Sequence, residues 1–376
     1  MLNEITIKGF KCIEDETLVL KPLTLLTGRN STGKSSVIQA FLLLAKHAMP
    51  ANQYSLAKIT APYSDARHIR NKFTNTQSID IRLPTPEHKD IELLGLVVQE
   101  KQGAYRFTSL MKPTADLDQR ISNGEDEMSK PLTTLLYEPA EPGDDAELFY
   151  LSASRTGPKD VTPVSDIKVG MEGEYLLSSF ERLKREPVPS YLVHFKESNS
   201  FGYQVSRWLS YITDTKTELK TEKLSNDIKV TLNTDGLEDV SPLNVGAGLS
   251  YVAKVVILCL MAKKDDLILL ENPEIHLHPK AQALLGAFLA FIASQGIQLI
   301  VETHCEHLIN KVRYQVYERD FDADEVVIHY KNALREPFEQ LRLSDNGQYV
   351  DQGGERMAFP TGFFDGTLTE LMAMGG

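Results

Sequence analysis

The sequence predicts an α/β protein: a mixed, largely parallel sheet with flanking helices, interrupted by an antiparallel β meander and a helical lobe. Three observations predict it. The stretch from Leu25 to Ser36 fits G-x-x-x-x-G-K-[ST], with Gly28, Gly33, Lys34 and Ser35 at the fixed positions. An apolar strand-like run precedes it and an apolar helix-like run follows. The last third of the chain alternates strand and helix patterns, as a parallel sheet requires. Between these regions, runs at Ser78–Leu83, Ile91–Gln99 and Ala104–Leu110 follow one another too closely for βαβ units and suggest a meander. The strand before the glycine loop belongs with the last third. The main domain is therefore expected to be discontinuous, over 1–50 and 241–335, with an inserted antiparallel β region at 51–165, a helical lobe at 166–240 and a small C-terminal domain at 336–376.

Taken in order, Asn3–Phe10 alternates as a strand does, Leu18–Leu20 and Leu23–Leu26 read as two more, and a helix runs from Lys34 to about His47. Residues 51–77 are polar and irregular, with a basic cluster at Arg67, His68, Arg70 and Lys72. Lys112–Lys130 and the acidic run Glu141–Glu147 read as exposed loops. Leu148–Ser152 is a strand that ends in Arg155-Thr156-Gly157-Pro158. Helices follow at Glu172–Arg185 and Phe201–Thr213, where Val205, Trp208, Leu209 and Ile212 share a face, and then a strand at Asp227–Asn233. The closing alternation is helix Leu249–Ala262, strand Asp266–Leu270, helix Pro279–Ala293, strand Ile297–Glu302, helix His304–Tyr317 and strand Glu325–Tyr330.

Forty basic against fifty-two acidic residues give a net charge of −12, which argues against a generic nucleic-acid-coating protein. The cysteines Cys12, Cys259 and Cys305 form no C-x-x-C pair and suit a reducing cytoplasm. No apolar run reaches the roughly 18–20 residues a membrane span needs, and the N-terminus lacks a signal-peptide core. A cytoplasmic protein without a membrane partner is expected.

The chemistry gathers around the loop. Its glycines let successive N–H groups turn inward on a phosphate, so Asn30, Ser31, Thr32, Gly33, Lys34, Ser35 and Ser36 are candidate nucleotide-binding residues. The helix N-terminus favours an anion, Lys34 adds a full charge near the terminal phosphates, and the Ser35 hydroxyl is placed to ligate magnesium. Leu267–Leu270 ends in Glu271, the carboxylate such a loop needs to hold the metal. His304 closes the next strand, at the end where open α/β sheets bind ligands. There it could contact a terminal phosphate or orient a water. Gly246-Ala247-Gly248 opens another helix as a second anion-seeking turn, which makes sense if it completes a partner subunit's site.

These four segments, in this order, resemble the ATPase head of the ABC superfamily, in its RecF/SMC-like and OLD-like branch. Glu271–Pro279, Glu302–Leu308, Arg155–Pro158 and Phe359–Asp365 are similar to a bacterial group of AAA-type ATPases with a small C-terminal domain of unknown function. The resemblance implies that ATP and magnesium are the cofactors, with phosphate and metal on Lys34 and Ser35, the magnesium carboxylate at Glu271 and a switch histidine at His304. It also implies that Gly246, Ala247 and Gly248 reach the other subunit's ATP in a head-to-tail homodimer or higher homo-oligomer.

There is one departure. The glutamate that polarises water in most such heads is replaced by Asn272, which cannot act as a base. Glu274 is the nearest substitute, and slow turnover is expected. A competing reading groups His276, His278, His304 and His307 with Glu271 and Glu274 as a transition-metal site. The turn at 273–279 and the phosphate-loop context speak against it. Three functions follow: an ATP switch controlling a separate effector such as a nuclease, with DNA as a candidate partner and phage defence or DNA repair as the setting; an ATP-binding scaffold with little hydrolysis; or a stand-alone metal-dependent nuclease. The first is favoured, by analogy of fold.

Overall fold

The structure, a computed structural model, describes residues 1–48, 63, 65–84, 91–101, 104–113, 147–170 and 172–360. Its centre is a sheet of seven strands. Five are parallel: β3 (Leu23–Gly28), β7 (Leu148–Leu151), β12 (Leu267–Glu271), β13 (Gln298–Glu302) and β14 (Val326–Lys331). β15 (Glu339–Leu343) and β16 (Tyr349–Val350) extend it antiparallel, giving the order β16-β15-β14-β3-β13-β12-β7. The register sets Glu271 opposite Glu302, Glu302 opposite Leu26, and Lys331 opposite Gly28. The carboxyl ends of the parallel strands therefore finish at one level.

Those strands are mostly apolar and almost wholly buried because both faces are covered. Alternate residues enter different cores. Leu25, Ile268, Leu270, Leu299 and Val301 face a core shared with α3 (Leu176–Leu183), α4 (Phe201–Thr213), α5 (Ala247–Met261), α6 (Pro279–Ser294) and α7 (Glu306–Tyr317). Leu26, Leu267, Leu269 and Ile300 face a second core. That one holds α1 (Lys34–Ala48) and a five-stranded antiparallel sheet, of order β2-β1-β4-β5-β6. Its strands are β1 (Glu4–Phe10), β2 (Ile13–Val19), β4 (Ser78–Pro84), β5 (Ile91–Lys101) and β6 (Ala104–Pro113). A short helix α2 (Ala66–Ile69) leads into β4.

The antiparallel meander is present, but the domain boundaries differ from those expected. The N-terminal strands β1 and β2 join the meander, because β1 pairs with β4 through Thr6–Arg82 and Ile7–Ile81. β7, inside the expected insert, pairs with β12 in the parallel sheet. The 166–240 region is only partly helical. It contains β9 (Thr217–Leu224), β10 (Asp227–Thr234) and β11 (Leu237–Val240), which form a second antiparallel sheet with β8 (Val161–Pro163). β9 escaped notice because only Thr217, Leu219 and Thr221 point inward and two of them are polar. From the expected C-terminal domain, β15 and β16 extend the head sheet, and Met357 and Phe359 pack on its core. Residues 361–376 lie outside the described ones, as do most of the predicted loops at 112–130 and 141–147. Among the described residues no helix is long and apolar enough to cross a membrane.

Candidate functional site: a phosphate loop facing three carboxylates

β3 is fully buried and delivers the loop 28–33 to the end of the sheet. Gly28 (φ +127°) and Gly33 (φ +112°) have backbone conformations that side chains rarely adopt. A Cβ on Gly28 would lie 2.2 Å from the Lys331 carbonyl oxygen, and one on Gly33 would lie 2.1 Å from Cys12 Sγ. The loop is thus wedged between β14 and the turn after β1. Lys34, only 2 % exposed, curls back so that its Nζ donates to the Arg29 carbonyl at 2.6 Å. Thr32 Oγ1 donates to the same oxygen at 2.9 Å. Burial lowers the Lys34 pKa and the nearby Glu302 charge opposes that shift.

Opposite the loop stand three carboxylates. The Ser35 hydroxyl donates to Glu302 Oε1 at 3.0 Å. Glu302 was not singled out by sequence reasoning. Its signal, a second apolar strand ending in a carboxylate, was present, but the strand order decides its role: β13 lies between β3 and β12, so Glu302 is the nearer neighbour of the loop. Glu271, one strand further, accepts from the Ala153 backbone N–H at 3.2 Å. Glu274 is buried. Its Oε1 accepts from Thr303 Oγ1 at 2.7 Å and from the His304 N–H at 3.1 Å. Burial raises the pKa of all three, and the charges of Glu271 and Glu274 raise Glu302 further.

Asn272 takes a left-handed conformation (φ +43°), which asparagine tolerates, and its N–H donates to the Glu302 carbonyl at 2.8 Å. Asn272 Oδ1, Glu274 Oε2 and Glu302 Oε2 are buried oxygens without a hydrogen-bond partner among the described residues. Unsatisfied buried acceptors are costly, and raised carboxylates beside them favour a cation. Magnesium is held by one or two carboxylates together with substrate phosphates rather than by an all-protein cage. Ser35, Glu302 and Glu271 fit that requirement.

His304 reaches the loop. Partial desolvation and the Lys34 charge lower its pKa, while a hydrogen bond to the Gly28 backbone acts in the opposite direction. Gly246, Ala247 and Gly248 open α5, with Gly246 exposed and Gly248 buried, where a Cβ would lie 2.4 Å from the His276 carbonyl oxygen. The histidines of the metal reading do not converge. His276 (φ +62°) rests its ring against Tyr251, and His278 caps α6 by accepting from the Lys280 N–H. Among the described residues no group of three or more His, Cys, Asp or Glu could hold a metal ion.

The sequence profile of a family described as "AAA domain, putative AbiEii toxin, Type IV TA system" matches residues 23–310, from β3 into α7. The chain belongs to this AAA-domain family. No curated protein matches it. Solved structures show the same fold. The SmcHead bound to the C-winged helix domain of ScpA is 13 % identical, with a TM-score of 0.55 over 92 % of this chain and 98 % of that one. The Smc head domain with an extended coiled coil, bound to the C-terminal domain of ScpA derived from Pyrococcus furiosus, is 10 % identical, with a TM-score of 0.52 over 100 % and 99 %. This AAA-domain chain therefore has the fold of the Smc head domains.

Proposed function

We propose that this AAA-domain protein is an ATP-held switch: it binds ATP with magnesium, hydrolyses it slowly, pairs with a second copy around it, and controls a separate effector. The observation that carries this reading is the Ser35–Glu302 contact beneath the Gly28–Gly33 loop, with buried carboxylate oxygens left unpaired beside it.

Loop amides and the first turn of α1 would cradle the phosphates, and Lys34 would exchange the Arg29 carbonyl for a phosphate oxygen. Ser35, Glu302 and Glu271 would hold magnesium, which when bound offsets phosphate charge. Partial desolvation and the Lys34 charge lower the His304 pKa, which favours the neutral imidazole as a hydrogen-bonding contact to phosphate. The residues for proton removal are weak. The Asn272 amide accepts no proton, and one oxygen of Glu274 is already tied to Thr303 and the His304 backbone. Glu274 remains the candidate base, through its unpaired Oε2. Such a site suits a latch more than a motor.

A separate effector is supported by two heads of this fold whose structures hold parts of ScpA, another protein. The family's toxin–antitoxin description suits a defence role, with a nuclease or DNA-bound protein as effector. The exposed turn at Gly246 is available to a second copy. The test is size-exclusion light scattering with and without ATP and magnesium, in the parent and in Lys34→Ala. A dimer that forms only with ATP, and only in the parent, supports the switch. An oligomeric state that ignores ATP, or persists unchanged in Lys34→Ala, overturns it.

A further inference from the structure

The side chain that organises the carboxylate edge comes from outside the site already described. Arg155, 2 % exposed, lies just after β7. Its Nη1 donates to the Glu271 carbonyl at 3.1 Å and the Ser152 carbonyl at 3.3 Å. Its Nη2 donates to the Asn272 carbonyl at 3.0 Å and the Pro273 carbonyl at 3.1 Å. Three consecutive carbonyls at the end of β12 thus converge on one guanidinium. The same segment also grips Glu271 through its carboxylate, by way of the Ala153 N–H.

The segment is tied equally to α5. The Arg155 guanidinium lies 5.4 Å from the ring centroid of Tyr251, on the second turn of that helix. The Tyr251 ring is in turn 5.0 Å from that of His276. Next along, Lys254 Nζ donates to the Thr156 carbonyl at 2.5 Å and also to the Thr156 hydroxyl. Residues 153–156 therefore strap the loop after β12 onto the helix whose first turn carries Gly246, Ala247 and Gly248.

We propose that Arg155 is a positioning residue: it fixes the main chain of Glu271, Asn272 and Pro273 against α5, so that the Glu271 and Glu274 carboxylates are aimed at the phosphate loop. Only arginine suits the place. Its planar fork offers donors on two nitrogens that together span three carbonyls, whereas a lysine has one nitrogen centre. Among the described residues Arg155 donates no hydrogen bond to the loop residues 28–36, so its removal acts on turnover and leaves magnesium-free nucleotide affinity alone. This inference rests on the ATPase reading above for its effect on turnover, but not for the clasp itself.

The experiment compares the parent, Arg155→Lys and Tyr251→Leu by hydrogen-exchange mass spectrometry and by steady-state kinetics with a fluorescent ATP analogue as binding probe. Arg155→Lys is expected to speed exchange over 272–277 but not over 28–36. It should lower kcat roughly 100-fold while leaving analogue affinity, measured without magnesium, within about twofold. Tyr251→Leu should shift both readouts in the same direction by a smaller factor, and it carries the test if the arginine variant fails to fold. Unchanged exchange at 272–277, or affinity and kcat falling together, overturns the proposal. A parent that binds no nucleotide would instead sink the ATPase reading, while the exchange result still decides whether Arg155 clasps the loop.

Discussion

The two halves of the site are built in opposite ways. The phosphate loop is made from nine consecutive residues, Gly28 to Ser36, held by backbone shape and by contact with β14. The carboxylate edge is assembled from Glu271, Glu274 and Glu302 at two strand ends, with Ala153, Arg155 and Thr303 holding them from other segments. The loop is a local device that any flanking strand and helix can present. The edge exists only if strand order, register and the Arg155 clasp are all correct. Substitutions should accordingly fail differently: abruptly and by binding in the loop, gradually and by turnover at the edge.

The largest effect is expected from Lys34→Ala. Removing the buried ammonium should weaken ATP binding about 100-fold or more, measured by titration calorimetry. Binding within a few-fold of the parent would show that backbone shape alone makes the loop half.

Next comes the pair Glu302→Gln and Glu271→Gln. Because Glu302 touches Ser35 and Glu271 stands one strand away, Glu302→Gln should weaken apparent magnesium affinity by about 10–100-fold, with Glu271→Gln the smaller of the two. Magnesium-dependent turnover curves decide the order, and the reverse order would return the principal metal role to Glu271.

A third contrast uses the glycine turn. Gly248→Ala places a Cβ 2.4 Å from the His276 carbonyl and should destabilise the fold by about 1–3 kcal/mol in urea unfolding. A Cβ on Gly246 would meet nothing within 4 Å among the described residues, so Gly246→Arg should leave stability within about 0.5 kcal/mol while blocking any ATP-held dimer. If that dimer forms normally, the turn does not face a second copy.

The smallest effect is in pH dependence, where the two halves carry opposite signs. The carboxylates have raised pKa values, so the folded form binds more protons than the unfolded one above 4.5, and stability falls as pH rises through that window. Lys34 has a lowered pKa, so the folded form binds fewer protons than the unfolded one below 10.5, and stability rises with pH there. Glu302→Gln should flatten the acid limb of a melting-temperature profile and Lys34→Met the alkaline limb. An unchanged acid limb in Glu302→Gln would mean that this carboxylate is not held in a desolvated site.

Legibility followed the same division. The glycine loop, the strand ending in Glu271 and the histidine after the next strand could each be read in place, because each depends on neighbours in sequence. The fold class could be read from strand–helix alternation at the end of the chain and close strand spacing in the middle. Glu302 could not be read although it stands two residues before His304, because a carboxylate ending a strand acquires its role only when that strand lies next to β3. The sheet that β1 joins could not be read, because an alternating strand looks the same whichever partner it pairs with.

By itself the sequence determined a phosphate-binding loop, an α/β head around it and the absence of a glutamate at Asn272. Short-range geometry fixes all three: glycine torsions, the strand and helix periods, and the chemistry of one side chain. Only the tertiary structure decided which carboxylate meets Ser35, that Glu274 holds the His304 turn, and that Arg155 gathers three carbonyls from a strand more than a hundred residues away in sequence. Those are contacts between distant segments, and they depend on strand order and burial, which no local pattern encodes.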